Sequence, residues 1–141
     1  MGLSILIVDD EVDVRWALEM VLRRNGFSVA TAGSGEQALG WLKEEALSCQ
    51  LILLDAKLGD IEGVDLARRI RRETTCIVPI ILVSGYFYKD DSLVQQSLRT
   101  GLISAFVTKP FHHEDILSVI HLVLSTGSNT LILPPKNGLH S

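Results

Sequence analysis

The stretch Ser4-Ile5-Leu6-Ile7-Val8-Asp9-Asp10 decides how the rest of the chain is read. Its apolar positions are consecutive and mostly β-branched, and they stop at two carboxylates. A strand with one face in water alternates apolar and polar residues; an unbroken apolar run is covered on both faces, as in a parallel sheet flanked by helices. The same logic recurs downstream. Leu51 to Leu54 ends at Asp55, Ile77 to Val83 ends at Ser84, and Ile103 to Val107 is followed by Thr108 and Lys109. Phe27 to Thr31 completes a set of five strand candidates.

Between the strands the apolar spacing changes to that of helices. Val14, Leu18, Val21 and Leu22 form one stripe, Ala38, Leu39, Leu42 and Ala46 a second, and Val64, Ala67 and Ile70 a third. Leu93, Val94 and Leu98 predict a fourth helix ending near Gly101, and Glu114 to Ser125 a fifth. Gly26 fits a stop after the first helix, where a residue without Cβ turns left-handed at no steric cost. Strand and helix alternating in this way build an α/β fold with a parallel sheet and helices on both faces.

With 141 residues, 47% hydrophobic and 21% charged, the composition is that of one folded domain. A net charge of -4 gives no general electrostatic reason to bind nucleic acid, and the apolar runs are too short to span a bilayer. Cys49 and Cys76 lack metal-ligand spacing, and no secretory leader precedes the first apolar run, so a reducing cytoplasmic location is expected. After Ser125 the composition shifts to Thr126-Gly127-Ser128-Asn129 and then Leu131-Ile132-Leu133-Pro134-Pro135. Residues 1–125 are therefore expected to form the domain and 126–141 a tail or the start of a linker.

In an open parallel sheet the functional crevice lies beyond the carboxyl ends of the strands, where strand order reverses. Asp9, Asp10, Asp55, Ser84 and Lys109 all fall at that edge. Three carboxylates brought together repel and drive one another toward protonation unless a cation lies between them. Magnesium, which takes one or two carboxylates, several waters and phosphate oxygens, suits Asp10 and Asp55 as ligands, with Asp9 acting through water. Lys109 and the Ser84 hydroxyl would then meet the oxygens of a phosphoryl group.

These segments, Ile7-Val8-Asp9-Asp10-Glu11, Leu54-Asp55 with Gly63 downstream, Val83-Ser84-Gly85 and Thr108-Lys109-Pro110-Phe111, resemble in order and position the signature segments of two-component response regulator receiver domains. The resemblance covers about Leu3 to Leu124. It implies a doubly wound, flavodoxin-like sheet of order 2-1-3-4-5, and Asp55 as phospho-acceptor for a histidine kinase or phosphotransfer partner. It further implies the Lys57 backbone carbonyl as a metal ligand, Ser84 and Phe106 as switch residues, and a cis bond before Pro110. The output surface would be the fourth helix, fifth strand and fifth helix, read by a downstream protein partner. Such a domain takes part in its own phosphorylation and dephosphorylation without being a turnover enzyme.

Several positions depart from the family pattern. Gly59 stands where proline is common and predicts a more flexible loop after Asp55. The stretch from Ser84 to Lys109 is longer than usual, with Tyr86, Phe87 and Tyr88 in its loop. Lys57 and Tyr86 occupy the positions that tune phosphoryl hydrolysis, and their bulk predicts a long-lived phosphoryl state. The apolar excess of the last helix, Ile116, Leu117, Val119, Ile120, Leu122, Val123 and Leu124, predicts a homodimer or partner contact through the output surface.

Plainer readings apply elsewhere. Arg68, Arg69, Arg71 and Arg72, flanked by Glu62, Asp65 and Glu73, read as a solvated, ion-paired helix face rather than a nucleic-acid site. His112 and His113 read as surface residues. Two other function classes compete with the phospho-acceptor. A receiver-like interaction module that is no longer phosphorylated has little reason to retain the whole constellation. A magnesium phosphohydrolase would favour a carboxylate two residues after Asp55, where Lys57 stands.

Overall fold

A computed structural model describes residues 2–85, 92–126 and 131–133. In chain order the elements are β1 (Ser4–Val8), α1 (Val12–Arg24), β2 (Ser28–Ala32), α2 (Gly35–Glu45), a 3-10 turn (Ala46–Ser48), β3 (Cys49–Asp55), α3 (Gly63–Glu73), β4 (Ile80–Ser84), α4 (Ser92–Thr100), β5 (Ala105–Thr108), α5 (His113–Thr126) and β6 (Leu131–Leu133). The strands lie in the order β2-β1-β3-β4-β5-β6, and every pairing is parallel. The first five strands thus take the expected order 2-1-3-4-5, and a sixth extends the sheet.

The consecutive apolar positions of the strands divide between two cores. Leu6 and Val8 of β1, Ile52 and Leu54 of β3, Ile80 and Leu82 of β4, and Phe106 of β5 face α2, α3 and α4. Ile5 and Ile7, Leu51 and Leu53, Ile81 and Val83, and Ala105 and Val107 face α1 and α5. Successive side chains of a strand point to opposite faces, so burial of both faces requires an unbroken apolar run.

Strand boundaries move where the backbone has other partners. Phe27, expected to open β2, gives its N–H to the carbonyl of Leu22 at the end of α1 and sets its ring 5.5 Å from that of His121. Ile77, expected in β4, is 86% exposed; Pro79 has no N–H to donate to a ladder, and the strand starts at Ile80. Ile103 gives its N–H to Ser97, leaving β5 to begin at Ala105. Gly26 does close α1, with φ of +89°, and Gly101 closes α4 at +82°.

Most apolar positions of the last helix are taken up by packing. Ile116, Val119, Ile120 and Val123 are buried against the sheet, and Leu117 and Leu124 pack beside them, leaving Leu122 exposed at 43%. The arginine run splits in two. Arg68, Arg69 and Arg72 pair with carboxylates as expected, whereas Arg71 turns inward and donates to the carbonyls of Cys76, Val78 and Leu102.

Candidate phosphoryl-accepting site

The carboxyl ends of β1, β3 and β4 and the residue after β5 meet around a pocket of about 570 Å³ lined by Asp10, Glu11, Asp55, Lys57, Ser84, Gly85 and Lys109. Register explains the convergence. Val8 lies beside Leu54, Asp55 beside Val83, and Ser84 beside Thr108, so the four strands leave the sheet within two residues of the same level.

Asp9 is buried at 3% exposure and held on several sides. Its carboxylate accepts the Glu11 N–H at 2.8 Å and faces the Lys109 ammonium at 3.5 Å, and its carbonyl accepts from the Arg15 guanidinium at 2.7 Å. Asp10 is exposed and points into the pocket. Oxygens of Asp9, Asp10 and Asp55 all lie within 4.8 Å of one another, the one such cluster of possible metal ligands among the described residues. Burial and the neighbouring Asp9 carboxylate push the Asp55 carboxyl up to about 6, against the opposing pull of Lys109 and the Lys57 N–H. An ammonium alone leaves this arrangement short of positive charge, and a hard cation with oxygen ligands fits the donor set.

Ser84 is buried at 2% and its carbonyl accepts the Lys109 N–H at 2.7 Å, tying the end of β4 to the residue that supplies the ammonium. The Lys109–Pro110 bond is cis. Phe106 is fully buried on the α4 side of β5. Tyr86 and the other aromatic residues of its loop lie outside the described residues, so the Tyr86 expectation has no structural counterpart here.

The loop after β3 is more tightly held than Gly59 predicts. Lys57 and Glu62 bridge in antiparallel fashion with their charges 3.7 Å apart, and Leu58 donates to Ile61. Asp60 accepts the Gly35 and Glu36 N–H groups at 3.0 and 3.1 Å, fastening the loop to the start of α2. Those bonds hold the Asp60 carboxyl below its ordinary value. Gly63 is required by contact: a Cβ there would lie 2.7 Å from the Asp55 carbonyl oxygen and 2.8 Å from Ala56 Cα. Arg15 and Asp60 were not singled out by sequence reasoning, since nothing in their spacing marks a helix arginine or a loop carboxylate as a partner of distant backbone.

The family model described as "response regulator receiver domain" matches residues 5–121. The chain belongs to the response regulator receiver family. Among relatives of this receiver, the transcriptional regulatory protein AfsQ1 of Streptomyces coelicolor is 40% identical over 88% of the chain and 52% of the relative. The phosphate regulon transcriptional regulatory protein PhoB of Pseudomonas aeruginosa is 33% identical over similar shares, 88% and 52%. The chain thus spans about half the length of these curated relatives. A CheY-like receiver domain protein from Methanospirillum hungatei superposes with a TM-score of 0.77 at 28% identity, covering 89% of this chain and 95% of its own. No described helix is long and apolar enough to cross a membrane.

Proposed function

We propose that Asp55 is the phospho-acceptor of this receiver and that Asp10, Asp55 and the Lys57 carbonyl hold magnesium, with Asp9 acting through water. The observation that carries this reading is the cluster of three carboxylates within 4.8 Å, met among the described residues by the Lys109 ammonium 3.5 Å from Asp9. When bound, the metal supplies the positive charge that lets carboxylate and phosphate oxygens approach.

The chain's own residues do the rest. An Asp55 carboxylate oxygen attacks the phosphorus of a phosphohistidine on a kinase or phosphotransfer protein, or of a small phosphodonor. A P–O bond forms as the bond to the donor breaks, and the donor atom, the histidine nitrogen or the nitrogen or oxygen of a small phosphodonor, leaves with its electron pair. Lys109 and Ser84 receive the phosphoryl oxygens, with Lys109 neutralising charge in the transition state. Their contacts bias β4 and β5 only to the extent that they are stronger in one conformation than the other. Ser84 and Phe106 act as the switch pair, and α4, β5 and α5 form the surface offered to a downstream protein or, where Leu131–Leu133 leaves the outer edge of β5 free, a second copy.

Residues 1–125 form the receiver and 126–141 a tail or the start of a linker, of which Leu131–Leu133 adds an edge strand to the sheet, in a cytoplasmic protein with no direct contact to nucleic acid through this domain. It is phosphorylated without acting as a turnover enzyme. Lys57, on the pocket rim, and Tyr86 slow hydrolysis by hindering an attacking water. The test is incubation with magnesium and a small phosphodonor, followed by intact-mass measurement. A gain of one phosphoryl group in the wild type, absent in Asp55→Ala, is expected; no gain in the wild type would return the chain to an unphosphorylated interaction module. Radiolabel loss no slower in the wild type than in Lys57→Ala, Tyr86→Ala would remove the lifetime claim.

A further inference from the structure

The two sides of the sheet are finished in different ways. At one side β2 is a partly exposed strand, and the Arg23 guanidinium donates to the Val29 carbonyl at 3.1 Å, blunting the open backbone. At the other, β5 reads Ala105-Phe106-Val107-Thr108, all buried, with no charge, proline or bulge to deter pairing. An apolar strand of this kind, left open, is a template for another chain. Here it is covered: Ala105, Phe106 and Val107 pair in parallel with Leu131, Ile132 and Leu133. Residues 127–130 separate the end of α5 from β6, a connection within the roughly 2–6 residues usual between helix and strand. At three residues β6 is also the shortest strand of the sheet, so little backbone holds it in place.

We propose that the outer edge of β5 is a strand-docking surface whose resident occupant is this chain's own segment Leu131–Leu133, and that this segment keeps a second copy of the chain from pairing with the edge. Docking of an extended segment on a sheet edge draws its affinity from main-chain hydrogen bonds, so a copy offering its own uncovered β5 competes for the same groups. The inference does not depend on phosphoryl transfer at Asp55, and its test involves no phosphodonor.

The experiment compares the full chain with Ile132→Pro and Leu133→Pro. Neighbouring residues of a strand point their N–H groups to opposite sides, so one of these variants loses a bond to β5 whichever way β6 is phased. A third variant, Leu131→Ser, Ile132→Ser, Leu133→Ser, lowers strand propensity without proline. Amide hydrogen exchange is followed in β1, β3 and β5, and mass in solution by sedimentation. Exchange in β5 is expected to accelerate about tenfold or more while β1 and β3 keep their protection. The same variants are expected to shift from monomer toward dimer as concentration rises, and a peptide of residues 128–135 to restore the monomer. Unchanged β5 exchange in all three variants would overturn the docking. Accelerated exchange in a strict monomer would overturn the capping role.

Discussion

The two ends of the sheet treat their polar groups in opposite ways. At the amino ends of β4 and β5, Arg71 gives its protons to the carbonyls of Cys76, Val78 and Leu102, and Thr74 both accepts from Cys76 and donates to Ile70. Burial pulls Arg71 below its ordinary value, yet the carbonyl dipoles around it meet its charge. At the carboxyl ends, carboxylates crowd to within 4.8 Å of one another, and burial with the Asp9 charge lifts Asp55 to about 6. One end is matched within the chain and serves the fold. At the other, the carboxylates of Asp9, Asp10 and Asp55 outnumber the cations that meet them among the described residues, an excess of negative charge that suits the proposed cation and phosphoryl group.

Substitutions at the two ends should therefore separate function from stability. Lys109→Ala has the largest expected effect, since it removes the ammonium that meets the Asp9 charge and is proposed to meet an incoming phosphoryl group. Its phosphorylation rate, read by mass against time, should fall roughly 100- to 1000-fold, the range for losing a positioned oxyanion partner. Arg71→Ala comes next, costing about 2–3 kcal/mol in denaturant unfolding through lost charge-assisted hydrogen bonds, while the rate of phosphorylation of the folded protein stays unchanged.

Asp55→Asn should do the reverse and raise metal-free stability at neutral pH by about 1–2 kcal/mol, allowing for solvent screening of a partly exposed group. The Asp55 carboxyl titrates at about 6 when folded and 3.8 otherwise, so between those values the folded chain keeps a proton that the unfolded chain has released. Its contribution to stability therefore grows as pH falls from 7 toward 4 and is lost as the group ionises. The difference in unfolding free energy between wild type and Asp55→Asn should shrink over that window. Glu73 and Asp60, held below their ordinary values, act in the opposite sense, their contributions being lost only as pH falls below the ordinary carboxylate range. The smallest effect is expected for Glu62→Ala, which frees Lys57 from an exposed pair; stability should change by less than about 0.5 kcal/mol, and only the phosphoryl lifetime should respond.

The functional end was the more legible of the two in the sequence. Apolar runs that stop at Asp9, Asp55 and Ser84 set both the strand and its polar terminus, because a strand buried on both faces has nowhere else to put such residues. The matched end was harder to read. Arg71 looks like its neighbours Arg68 and Arg72 in the sequence, and only the helix phase relative to distant carbonyls turns it inward. Asp60 is one acidic loop residue among several until α2 presents its N–H groups to it. The apolar run Leu131-Ile132-Leu133 was visible, but with Pro134 and Pro135 following it read as a tail; its pairing depends on an edge of β5 that local sequence does not describe.

The central claim is that the carboxyl end of the sheet accepts phosphoryl at Asp55, and chemical trapping tests it most directly. After incubation with magnesium and a small phosphodonor, borohydride reduces an aspartyl phosphate to homoserine, which peptide mass spectrometry locates. Homoserine at position 55 alone is the predicted result. Trapping at another carboxylate, or none in a chain that has gained phosphoryl mass, would contradict the account.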